Sequence, residues 1–153
     1  MKNKIPMNIS IQSDQNIETP QGEPVSESVH TNAFGFLRET KNGMELEYLE
    51  SKDKTFGDTV TTVSMLKDNI VAVNRIGALN TYMVFEEGKA HTCLYTGERV
   101  PVQLRIQTNR LRNSISPQGG KLDIDYTVQI AGNTAERSHI LMSVSPHESI
   151  LTS

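Results

Sequence analysis

The chain has 153 residues, a formal net charge of −3 and one cysteine, Cys93. This length fits one domain spanning residues 1–153, with a core expected over about residues 5–144 and a tail over residues 145–153. A lone cysteine excludes an internal disulfide and a zinc cluster built on cysteines. The nearly balanced charge and the lack of tryptophan argue against a nucleic-acid binder.

The chain lacks the long apolar stretches that targeting and membrane insertion need. Residues 1–6 are too polar to form the core of a signal peptide. No later segment approaches the roughly 18 uninterrupted apolar residues of a membrane helix. We therefore expect a cytoplasmic protein with no membrane partner.

Short runs of alternating apolar and polar residues fill the first half of the chain. Ile5, Met7, Ile9 and Ile11 begin this pattern, which is typical of a strand with one buried face. The Asn-Gly pair at residues 42–43 predicts a tight hairpin. The strands predicted here cover about residues 5–13, 25–39, 44–49, 59–66 and 70–75.

The same alternation continues in the second half, most clearly over residues 121–130 (KLDIDYTVQI). Further strands are predicted over about residues 82–85, 90–95, 100–109 and 136–144, with at most one helical turn, either over residues 109–114 or after Pro146. Nine or ten sequential strands without crossover helices indicate an all-β fold. We predict a single antiparallel, mostly up-and-down β-barrel with little or no helix, and a β-sandwich is the alternative.

A series of short segments follows in a fixed order along the chain: residues 43–50 (GMELEYLE), 59–63 (TVTTV), 75–77 (RIG), 83–88 (MVFEEG), 95–97 (YTG) and 120–126 (GKLDIDY). Together they resemble the YwiB-like family of small bacterial proteins of unknown function. The resemblance covers about residues 5–144 and implies a calycin-like β-barrel without implying an activity. It supplies no functional residues, and the Gly-x-Trp signature of ligand-carrying lipocalins is absent.

The acidic and histidine residues do not form a predicted catalytic or metal site. Glu45 with Glu47, and Asp123 with Asp125, share strand faces opposite the apolar residues, so we interpret both pairs as solvated. His91 and Cys93 lie two residues apart on a strand, which places their side chains roughly 7 Å apart. No catalytic residue, metal or cofactor is therefore predicted, and an enzyme is less favoured than a binding or an interaction protein without being excluded.

Two functional hypotheses remain. In the first, the protein binds a small, partly apolar ligand in the barrel mouth. The predicted ligand-binding residues are Arg75 and the tyrosines Tyr48, Tyr82 and Tyr95. The second is an interaction protein that forms a homodimer through an outer sheet face. It rests on the apolar run at residues 82–85, of which alternate side chains must point outward. Coverage of these side chains by the N-terminal strand is the alternative.

Arg75 is the polar residue with the most distinctive position. It continues the apolar parity of Val71 and Val73 at the end of a predicted strand. A guanidinium there must reach past the barrel rim or pair with a carboxylate, because an unpaired buried charge is too costly. The side chain is therefore expected at one end of the barrel, as a structural group or as an anion-binding group.

Overall fold

The computed structural model describes residues 4–17, 25–50, 59–77, 80–96, 102–130 and 133–147, with the side chains at 95, 96, 102 and 133–135 excepted. It contains ten strands and one short 3-10 turn, Lys67–Asn69. The strands are β1 (Ile5–Ile17), β2 (Val25–Thr40), β3 (Gly43–Glu50), β4 (Thr59–Leu66), β5 (Ile70–Ile76), β6 (Asn80–Glu86), β7 (Ala90–Thr96), β8 (Val102–Asn113), β9 (Gly120–Ile130) and β10 (Asn133–Pro146).

Each strand pairs antiparallel with its neighbours in the chain, and β1 also pairs with β10 to close the barrel. This arrangement confirms the predicted all-β, up-and-down barrel. The odd-numbered strands run toward one end of the barrel, which we call the upper end. β1 begins and β10 ends at the opposite, lower end, where β2, β4, β6 and β8 also end.

The alternation of the sequence determines which side chains point inward. Residues of one parity on each strand are buried, and those of the other parity are more exposed. Inward apolar side chains from opposite strands pack into one core cluster. Its largest fully buried members are Phe85, Met7, Leu37, Leu46, Ile106, Leu122, Ile124, Val63 and Val71.

Two predicted elements differ from the structure. The helical turn that the sequence allowed over residues 109–114 does not form, because β8 continues as a strand to Asn113. The other position allowed for it, after Pro146, lies outside the described residues apart from His147. A register shift between Thr108 and Arg110 leaves Asn109 as an extra residue, and such a bulge bends a strand without ending it. β1 is also longer than predicted, since it pairs with β2 as far as Ile17.

β1 is a full member of the barrel wall, between β2 and β10. Coverage of the outward side chains of β6 by the N-terminal strand is therefore excluded. The predicted tail is described only over residues 145–147, of which the first two complete β10, and residues 148–153 lie outside the described part.

Candidate functional site

A group of polar side chains faces inward near the upper end of the barrel. Four of them come from three neighbouring strands: Tyr48 and Glu50 from β3, Thr61 from β4 and Arg75 from β5. The strand register places Tyr48 opposite Thr61, and Thr61 opposite Arg75. We call these four, with Thr81, Tyr126 and Ser138, the upper polar cluster.

Glu50 links two members of this cluster. The Thr61 hydroxyl donates a hydrogen bond to Glu50 Oε2 at 2.6 Å. Arg75 Nε lies 3.5 Å from the same oxygen, which makes a longer ion pair. Thr61 is fully buried, whereas the Arg75 side chain is 44% exposed. The guanidinium therefore lies at the rim, with a carboxylate beside it.

Two buried hydroxyl groups of the cluster have no hydrogen-bond partner among the described residues. Ser138 is 1% exposed, and its Oγ has no hydrogen-bond partner within the described residues. The same holds for Thr81 Oγ1, which is buried opposite Arg75. Ser138 pairs with Tyr126 across β10 and β9 and lies close to its hydroxyl, without the geometry of a hydrogen bond. Such groups are uncommon, because a buried donor normally has a partner.

Burial determines the protonation of both tyrosines. It raises the pKa of the Tyr48 hydroxyl, and the charge of Glu50 raises it further, against smaller opposing effects of Arg75 and Thr61. Burial likewise raises the pKa of Tyr126, which Ser138 lowers and Glu136 raises. Both side chains are therefore neutral hydroxyl groups near pH 7, able to donate and accept hydrogen bonds.

The cluster adjoins the apolar core through one aromatic contact. The Tyr126 ring packs edge to face on Phe85, with ring centroids 4.9 Å apart. Below this contact, toward the lower end, buried inward side chains are mainly aliphatic. The interior thus changes from apolar to polar along the barrel axis.

The structure brings together two of the four predicted ligand-binding residues, Arg75 and Tyr48. Tyr82 lies elsewhere, because its side chain is on the outer face of β6 and 54% exposed. It therefore cannot contribute to a site inside the barrel. Tyr95 pairs with Thr81 on β6, but its side chain lies outside the described part.

Sequence reasoning missed most of the remaining cluster. Glu50 carries a usable signal, since it continues the inward parity of Leu46 and Tyr48 at the end of β3. Thr61 and Ser138 carry none, because threonine and serine are ordinary residues on either face of a strand. Their role follows only from the register that places them beside charged and aromatic neighbours.

The acidic pair Asp123 and Asp125 lies on the outer face, as predicted. His139 Nε2 is 2.6 Å from Asp123 Oδ1, and Arg137 is 3.5 Å from Asp125 Oδ2. These contacts form a partly exposed network of ion pairs. Within the described ranges, no group of three or more His, Cys, Asp or Glu side chains has an arrangement that holds a metal ion.

Cys93 is buried on the inner face of β7, and burial raises the pKa of its thiol. A protonated thiol is a poor nucleophile, so the structure supplies no reason to assign it a catalytic role. No helix in the described part of the chain is long and apolar enough to cross a membrane.

Comparison with known proteins gives a family and a fold. The crystal structure of the ywiB protein from Bacillus subtilis superposes with a TM-score of 0.75 over 96% of each chain, at 18% sequence identity. This identity shows a shared fold alone. No curated protein matches the chain. The family described as a domain of unknown function (DUF1934) matches residues 9–142, and the chain belongs to this family.

Proposed function

We propose that this barrel binds a small, partly apolar molecule at the upper polar cluster. The main support for this proposal is the buried Ser138 hydroxyl, which faces inward without a hydrogen-bond partner among the described residues. Leaving such a group unpaired costs about 1–3 kcal/mol. A ligand that supplies a polar atom there recovers this energy, and Thr81 Oγ1 offers a second unpaired group.

Apolar side chains near the same end support a ligand with an apolar part. Val29 has the inward parity of β2 and is 36% exposed, and Ile130 has the inward parity of β9 and is 44% exposed. Ligand sites commonly combine such apolar surface with a few convergent polar groups. The lower half is packed with buried aliphatic side chains, so the proposed site is limited to the upper part.

A titration with 1-hexanol and hexanoate, followed by backbone amide NMR, tests this proposal. We expect saturable shifts at Tyr126 and Ser138 with at least one of the two probes. Ser138→Val replaces the hydroxyl with a methyl group and adds a second methyl group, so it should weaken binding about tenfold, which is about 1.4 kcal/mol. Ser145→Val, at an exposed position on the same strand, is the matched control. Shifts that do not saturate, or that are equal in both variants, would contradict the proposal.

An apolar stripe on the outer face favours a second function, self-association as a homodimer. Leu49 pairs with Val60, and Val60 pairs with Ile76, so three outward apolar side chains lie side by side. Tyr82 on β6 pairs with Asn74, two residues before Ile76 on β5, so it lies diagonally from Ile76, and Leu94 is exposed on β7. All five side chains are between 40% and 60% exposed. Monomers rarely expose contiguous apolar patches of this kind.

Two copies of one stripe would meet face to face in a two-fold symmetric dimer. Light scattering over a protein concentration of roughly 10 to 500 µM tests this arrangement, because dimer formation depends on concentration. Ile76→Lys should leave only monomer. Leu66→Lys, at an exposed apolar position outside the stripe, should leave association unchanged. A parent protein that is monomeric at every concentration would exclude this second function.

A further inference from the structure

The charge distribution inside the upper end is uneven. Arg75 is the only lysine or arginine on the inner face of the described upper half. The acidic residues with inward parity in the described upper half are Glu50, which contacts Arg75, Glu136, whose charge acts on Tyr126, and Glu27 on β2. A negatively charged ligand can therefore pair with one described cation there, Arg75, and the Glu50 carboxylate already contacts this guanidinium.

The contact between Arg75 and Glu50 is weak for a charged pair. Its 3.5 Å separation exceeds the roughly 2.7–2.9 Å of a charge-assisted hydrogen bond. Glu50 Oε2 is held at 2.6 Å by the Thr61 hydroxyl instead. A guanidinium has five N–H donors in a planar fork, of which the contact with Glu50 uses one and a hydrogen bond to the Tyr48 hydroxyl uses another. The remaining donors of Arg75 can bind a second acceptor.

The upper polar cluster contains further hydrogen-bond donors. The Tyr48 and Tyr126 hydroxyls keep their protons, and the Ser138 and Thr81 hydroxyls have no partner within the described residues. A carboxylate is an acceptor with about four lone-pair positions, so it suits a site rich in donors. An ammonium group would find Glu50 but would leave these hydroxyl donors without an acceptor.

We propose that the ligand of this site carries a carboxylate, and that this carboxylate displaces Glu50 from Arg75. The inference rests on the proposed function and specifies its ligand class. Glu50 itself shows that a carboxylate fits beside the guanidinium. Its side chain can leave Arg75 and keep the hydrogen bond to Thr61, so the exchange does not leave it without a partner.

Calorimetric titration near pH 7 with three probes of equal chain length tests this inference: hexanoate, 1-hexanol and hexylamine. We expect hexanoate to bind about tenfold more tightly than 1-hexanol, which is about 1.4 kcal/mol. Arg75→Gln should remove this preference, so that hexanoate and 1-hexanol bind with similar affinity. Arg75→Lys, which keeps the charge and loses the fork, should give an intermediate affinity. In the parent protein, hexanoate should also shift the Arg75 Nε–Hε resonance, a measurement that needs no variant.

A separate pair of variants tests whether Glu50 competes with the ligand carboxylate for Arg75. Glu50→Gln should raise the affinity for hexanoate several-fold, because it removes the carboxylate that occupies Arg75. Glu136→Gln removes an equal charge that does not contact Arg75, so its effect should be smaller. Equal gains in both variants would show a general field effect and overturn the displacement.

The outcomes separate this inference from the proposed function. Equal binding of hexanoate and 1-hexanol would overturn the inference that the ligand carries a carboxylate. It would leave the proposed small-molecule site unchanged. Preference for hexylamine would show a cation site and overturn it as well. Failure of all three probes to bind would overturn the proposed function and this inference together.

Discussion

Phe85 and Tyr126 meet edge to face across the barrel interior, from β6 to β9, with ring centroids 4.9 Å apart. Phe85 is fully buried in the apolar core, and Tyr126 directs its hydroxyl toward Ser138 and the upper polar cluster. The contact therefore joins the apolar core to the upper polar cluster. Such aromatic pairs add about 0.5–1.5 kcal/mol beyond the area they bury.

Phe85→Ala should destabilise the protein by about 3–5 kcal/mol, because it removes a fully buried ring and leaves a cavity. Chemical denaturation followed by circular dichroism measures this loss. Phe34→Ala is the control, since Phe34 is 47% exposed on the outer face and should cost about 1 kcal/mol or less. Equal losses would mean that Phe85 is not a core residue.

Ser138→Ala should be neutral or should stabilise the ligand-free protein by up to about 1 kcal/mol, because it removes a buried hydroxyl without a described partner. Thr108→Val is the opposing control. Thr108 is equally buried, but its Oγ1 accepts a hydrogen bond from the Glu86 N–H at 3.2 Å, so its loss should cost about 1–3 kcal/mol. A comparable cost for Ser138→Ala in urea denaturation would show that its hydroxyl is satisfied.

Glu86 makes the stability depend on pH in the acidic range. Hydrogen bonds from Lys89 and His91 lower the pKa of its carboxyl below the ordinary value of 4.5. A lowered folded pKa stabilises the folded state above pH 4.5, and this contribution is lost as the pH falls through the folded pKa. Glu86→Gln should therefore be less stable than the parent at pH 7, with a difference that shrinks in more acidic solution.

Urea midpoints at neutral and acidic pH measure this difference. Lys89→Met should reproduce part of the effect, because the Lys89 ammonium lies 3.1 Å from Glu86 Oε2. A gap between parent and Glu86→Gln that stays constant down to about pH 3 would contradict the linkage.

Gly35 on β2 leaves room for Tyr48 on the neighbouring strand β3. A Cβ added at Gly35 would overlap the Glu47 carbonyl oxygen and would lie 2.9 Å from Tyr48 Cβ. Gly35→Ala should therefore separate β2 from β3 locally and destabilise the protein by about 2 kcal/mol or more. The Tyr48 ring resonances should shift with it.

Gly88→Ala is the matched control for this substitution. Gly88 has a φ of +80° and no neighbouring atom within 4 Å, so only backbone strain of about 1–2 kcal/mol is expected. Tyr48 resonances that move equally in both variants would contradict the proposed contact.

The amino-acid pattern by itself determined the strands, their inward faces and the barrel. Alternation is a local property, since each side chain points opposite to its neighbour, and the pattern of Leu122, Ile124 and Tyr126 appears unchanged as the buried face of β9. It also placed Arg75 on the inner side of β5. The predicted end of β8 at about residue 109 was wrong. The bulge at Asn109 shifts the alternation of inward and outward side chains, and no distinctive residue type marks it.

Only the tertiary structure decided which inward residues meet. The contacts among Glu50, Thr61 and Arg75 depend on the register of β3, β4 and β5, and the position of Ser138 beside Tyr126 depends on that of β9 and β10. Register results from pairings summed around the closed barrel, so no short segment encodes it. For the same reason Tyr82, assigned to the mouth from its residue type, lies on the outer face of the closed barrel.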